Sequence, residues 1–94
     1  MAGPETPVSI TKAEDLTQIY SNTSQVSSTN WDITIGFGRT SLEQEPNGTI
    51  KATAVIHTEV TMSPQQAKAT LDIFKTAVEG YEKQFGEINV KAKV

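Results

Sequence analysis

Residues 62–86 read MSPQQAKATLDIFKTAVEGYEKQFG, and this stretch decides the fold. Ser63 suits the cap of a helix because its side-chain oxygen can accept from the unpaired amides of the first turn. Pro64 fits the first helical position, where its missing N–H costs nothing, and Gln66 stands where a capping-box partner belongs. Behind this cap, Ala67, Leu71, Phe74, Val78, Tyr81 and Phe85 alternate steps of four and three, the spacing of one helical face. Gly86 follows as a natural terminator, since glycine accepts the left-handed conformation that closes many helices. The pattern predicts a single helix from Pro64 to Phe85, about 33 Å long.

Working back toward the N-terminus, the period changes from helical to twofold. Ile50, Ala52, Ala54, Ile56, Thr58, Val60 and Met62 occupy one parity, and Lys51, Thr53, His57, Glu59 and Thr61 the other. Trp31, Ile33, Ile35 and Phe37 alternate in the same way with Asp32, Thr34 and Gly36. Both are strand patterns. Between them Glu45-Pro46-Asn47-Gly48 marks a turn. A four-residue loop over 45–48 pairs Gln44 with Thr49 and sets Trp31 against Met62, Ile33 against Val60 and Phe37 against Ile56. A three-residue loop reverses the faces unless a bulge near Gly36 or Gly38 restores them; we adopt the simpler register. Thr17–Val26 has a weaker strand pattern, and residues 1–15, with Gly3, Pro4 and Pro7, read as a mobile lead-in to a single domain over 16–94. Beyond the helix, Ile88, Val90, Ala92 and Val94 alternate with Asn89, Lys91 and Lys93, which predicts a short final strand. The expected class is α+β: a three-stranded antiparallel meander, one long helix packed on the sheet, and a short C-terminal strand.

Composition narrows the function. A chain of 94 residues supports one modest core. Its net charge of −3, with eight scattered Lys and Arg, argues against nucleic acid as a partner, because phosphate binding needs clustered cations. No apolar run approaches a membrane span, and residues 1–7 carry no signal-peptide core, so we expect a cytoplasmic location and no membrane partner. With no cysteine, disulfides and thiolate metal sites are excluded.

Several residues invite chemical readings. His57 and Glu59 share a strand face that Asp32 and Thr34 can approach, a set able to relay protons or contribute to a metal site. One histidine with scattered carboxylates is a thin ligand set, and a wet polar sheet face accounts for them. Gly36-Phe37-Gly38 suggests a phosphate loop, but lacks the third glycine and the following helix that such a loop needs. Ser63 has no second histidine as a base, and capping explains it. We therefore assign no catalytic, cofactor-binding or metal-binding residue, and expect a protein that is not an enzyme. On the helix, Lys68, Asp72, Lys75, Glu79, Glu82 and Lys83 fall to one side of the apolar stripe. The other flank, with Gln66, Thr70, Ile73, Ala77, Gly80 and Gln84, carries no charge. Small residues around Ile73 allow a second backbone to approach, so Thr70, Ile73, Ala77 and Gly80 form a candidate interface. The competing reading has this flank meet the chain's own N-terminal segment or last strand.

The chain resembles a family of small prokaryotic proteins, domain of unknown function 3467. The resemblance is carried by Val60, Met62-Ser63-Pro64, Ala67-Lys68, Leu71, Tyr81-Glu82 and Gly86-Glu87-Ile88, with weaker echoes at Tyr20, Asn22 and Asp32 through Gly38. It covers roughly residues 19–88 and implies a shared fold and role, with no catalytic residue to carry over. Three function classes follow: a non-catalytic homo-oligomeric interaction or scaffold module, most simply a homodimer and with another protein partner open; a chaperone-like binder of extended polypeptide; and a small ligand-binding protein or enzyme using the polar sheet face.

Overall fold

The computed structural model describes residues 6–90. Three strands, β1 (Thr23–Ser28), β2 (Ile33–Gln44) and β3 (Ile50–Met62), precede one helix, α1 (Pro64–Phe85). The strands form an antiparallel sheet in the order β1-β2-β3. The meander and helix match the sequence expectation. The final strand does not: residues 86–90 form no strand, and the rest of that expected strand, 91–94, lies outside the described residues. Instead the Ile88 amide donates to Glu82 Oε2 at 3.0 Å, so the chain turns back along the helix.

The first strand starts later than expected, and Trp31 belongs to a turn. The Thr29 hydroxyl accepts from the amides of Trp31 (3.0 Å) and Asp32 (3.1 Å), while the Thr29 amide donates to the Asp32 carbonyl at 2.9 Å. This side-chain-to-backbone lock ends the strand pattern before Trp31, leaving its indole 81% exposed.

The hairpin register also differs, and the reason is steric. The Glu45 amide donates to the Thr49 carbonyl (2.6 Å), and Gly48 closes the turn at φ +91°, its amide donating to the Glu45 carbonyl at 2.9 Å. The loop is therefore three residues, Pro46-Asn47-Gly48, with glycine in the left-handed position such loops use. Gln44 then faces Ile50 and Gly38 faces Ile56, but Phe37 faces Thr58. His57 is the extra residue, and a β-bulge takes up the odd count. From there Ile35 opposes Val60 and Ile33 opposes Met62, displacing the expected Ile33–Val60 and Phe37–Ile56 pairs. Gly38 permits the bulge: a Cβ on it would sit 1.8 Å from the Val55 carbonyl oxygen.

The bulge splits the apolar face of β3. Val60 and Met62 share a face with Ile33, Ile35 and Phe37, toward the helix. Ile56 lies on the reverse side, where its Cγ2 comes within 2.8 Å of the position a Gly36 Cβ would take, beside Glu59. By alternation, Ala54, Ala52, Ile50 and Leu42 share that reverse side. The expected uninterrupted apolar face from Ile50 to Met62 is thus two half-faces on opposite sides of the sheet.

The helix forms as its cap predicts, with one difference. Ser63 Oγ accepts from the Gln66 amide at 3.1 Å, and Pro64 opens the helix. The Gln66 side chain does not return to the cap: its Nε2 donates to Thr70 Oγ1 at 2.9 Å, so only half of the expected capping box is made. Gly86 closes α1 at φ +104°, its amide donating to the Glu82 carbonyl at 2.8 Å.

Among the described residues no apolar side chain is buried; only Gly36 and Gly38 reach that state. The radius of gyration is 18.0 Å, against roughly 12 Å for a compact chain of this length.

Candidate interaction surface

The sheet and the first half of α1 face each other across an open cleft of about 490 Å³. Ile33, Ile35, Phe37, Val60 and Met62 supply one wall, with Val26 from β1, and Ala67, Thr70, Leu71 and Phe74 supply the other. The lining is almost wholly apolar because the bulge keeps these strand residues on one side while the helical stripe turns toward them. Beyond Phe74 the stripe continues through Val78, Tyr81 and Phe85 without sheet opposite it. The Tyr81 and Phe85 rings pack on each other at 4.8 Å between centroids, and both remain exposed. From beyond the helix, Ile88 borders a shallow depression with Phe74, Ala77, Val78 and Tyr81.

The four candidate interface residues on the helix flank have different surroundings in the single chain. Thr70 turns into the cleft, and Ala77 borders the Ile88 depression, so the chain's own C-terminal residues reach one part of this flank. Ile73 is 68% exposed, and nothing lies within 4 Å of a Cβ built on Gly80. Of the cap residues, Ser63, Pro64 and Gln66 all serve the helix start.

The polar sheet face does not assemble. Thr34 and Thr61 join hydroxyls at 2.7 Å, Asp32 is held in the turn, and His57 occupies the bulge five positions along the ladder, about 17 Å away. Among the described residues no three His, Cys, Asp or Glu side chains gather as a metal site.

A feature that pattern reading missed lies just before β1. The Ser21 hydroxyl accepts from the Gly38 amide (3.1 Å) and has the carbonyls of Thr23 (2.7 Å) and Gly38 (3.0 Å) within reach of its proton. Asn22 accepts from the Thr40 amide through Oδ1 at 2.8 Å, and its own amide donates to the Gly38 carbonyl. Tyr20 stacks under Arg39, 5.4 Å from guanidinium carbon to ring centroid. The segment 20–22 thus pins the bulge, which gives Tyr20 and Asn22 a structural role. A polar triplet before a weak strand gave no periodic signal that would have revealed it.

Fold and surface together define a small α+β protein, a meander with one helix whose apolar faces stand uncovered in the single chain. The chain belongs to the DUF3467 family: the family model described as "Protein of unknown function (DUF3467)" matches residues 3–90, nearly its whole length. The match takes in the N-terminal segment as well as the stretch that carried the resemblance. No curated protein and no solved structure matches it. No helix among the described residues is long and apolar enough to cross a membrane.

Proposed function

We propose that the protein is a non-catalytic interaction or scaffold module that works as a homodimer in the cytoplasm, with its hydrophobic core completed between subunits. One observation carries this reading: the single chain exposes 8787 Å², whereas a compact chain of its mass exposes roughly 5,300 Å². The extended N-terminal segment contributes part of the excess of about 3,500 Å². Exposed apolar residues of the helix and sheet, among them Val60, Leu71, Phe74, Tyr81 and Phe85, contribute as well, and an obligate dimer buries roughly 1,000–2,500 Å² per subunit. Residues that invited chemical readings have structural partners instead: Ser63 caps, Asp32 is held by Thr29 in the turn before β2, Thr34 bonds Thr61 across the sheet, and Gly38 admits the bulge. The uncharged flank, with Ile73 and Gly80 uncovered, supports a contact through the helix, and two-fold dimers are the commonest oligomers. Ile73→Lys is expected to weaken the dimer, so that light scattering shows dissociation, with helical circular dichroism lost alongside, at concentrations where the wild type stays dimeric. A variant as dimeric and as helical as the wild type on dilution, or a wild type already monomeric at high concentration, would sink this reading.

A second reading has its own observation. The apolar cleft, together with the outer edge of β3, which pairs with nothing among the described residues, is what a binder of extended polypeptide needs. It predicts a monomer that retains unfolded chains.

A further inference from the structure

Building on the dimer reading, we propose that the cleft of each subunit is filled by the second half of its partner's helix, with Val78, Tyr81 and Phe85 of one chain packing between the sheet and the first half of α1 in the other. The dimer is therefore intertwined, and no folded monomer underlies it.

The helix outruns the sheet patch it faces. The helix-facing patch on β2 runs from Ile33 to Phe37, about 17 Å of strand, while α1 is about 33 Å long. A sheet patch half the length of the helix covers half of its stripe, and the cleft wall indeed ends at Phe74. The remaining half carries the same three-and-four spacing and two of the stripe's three aromatic side chains, the paired rings of Tyr81 and Phe85. All six charged side chains of α1 lie in another sector, so neither half was selected to face water.

Next comes the space. Folded interiors tolerate few gaps larger than a water molecule, and an apolar opening of about 490 Å³ is filled in the working protein. Among the described residues the second half of α1 is the helical apolar face without a counterpart, and a two-fold axis near the middle of α1 carries it to the partner's opening. With the helices antiparallel, each second half lies beside the other's first half, and both clefts close by the same contact. Such an isologous arrangement is closed, so assembly stops at two. The chain exposes about 3,500 Å² more than a compact chain of its mass, so it has enough surface to cover for a contact of obligate-dimer size, roughly 1,000–2,500 Å² per subunit.

The test exploits the absence of cysteine from the sequence. Ile35→Cys, in the cleft, and Tyr81→Cys, on the free half of the helix, are placed in separate chains. The chains are unfolded together, refolded and treated with a short bis-maleimide, which spans the roughly 10 Å between packed layers. The expected product is a cross-linked pair containing one chain of each kind, with Ile35→Cys chains alone giving none. Val60→Cys with Val78→Cys repeats the test should the first pair impair folding. A dimeric mass with no mixed cross-link overturns the inference and leaves the dimer reading standing. An intrachain link in a chain carrying both substitutions also overturns it, because the helix would then close on its own sheet. A monomeric mass overturns both the inference and the reading beneath it.

Discussion

The two halves of α1 are written in the same chemistry and meet different surroundings. Ala67, Leu71 and Phe74 look across a cleft at a sheet; Val78, Tyr81 and Phe85 continue the same stripe past that sheet's apolar patch. Their exposure hardly differs, 61% at Phe74 and 65% at Phe85. The first half is therefore no better buried than the second; it only has a wall opposite. Helical periodicity reports that a face is meant to be covered, and it is silent on which chain does the covering.

The largest effect separating the halves is expected at Tyr81. In a lone chain Tyr81→Asp alters an exposed side chain and changes stability by about 0.5 kcal/mol or less. In the dimer it sets a charge in an apolar interface and costs about 2 kcal/mol or more. The readout is the urea midpoint together with the mass in solution, and a variant that keeps both would make the two halves equivalent. Gly80→Ala is a test of sign. Alanine stabilises an exposed helix interior by about 1 kcal/mol relative to glycine, and this site has room in the single chain. If a partner backbone approaches Gly80, the added methyl instead lowers the thermal midpoint and weakens association. Ser63→Ala removes the oxygen that accepts the Gln66 amide and is expected to cost about 1 kcal/mol, read as a lower thermal midpoint. Because folding and assembly are coupled here, that loss should also raise the dissociation constant; an unchanged constant would show that the halves fold independently of association. Smallest of all, His57→Ala, at the exposed bulge, should stay within about 0.5 kcal/mol. A larger loss, or a loss of bound metal, would restore the polar sheet face as a site.

Much of the fold could be read from the residues because the deciding signals are local. The Ser63-Pro64 start, the stripe from Ala67 to Phe85 and the Gly86 stop need no tertiary information, and α1 has the expected bounds. The hairpin was legible as a hairpin, but its register was not. That depended on whether Gly38 lies against the Val55 carbonyl, a contact between residues seventeen positions apart that alternation cannot reveal. Trp31 was drawn into β2 by parity, whereas the Thr29 hydroxyl competes for the same backbone and wins. The candidate surface was half legible. The uncharged flank pointed toward self-association, but the cleft exists only because the bulge turns Ile56 away from Val60 and Met62, and no sequence period encodes that.

Sedimentation equilibrium over a wide concentration range, with the helical signal followed in parallel, tests the central claim most directly. A shared core predicts a mass of about twice the 10.2 kDa chain wherever the protein is folded, with helix lost as dimers dissociate on dilution. A species at 10.2 kDa that keeps its full helical signal would contradict the account.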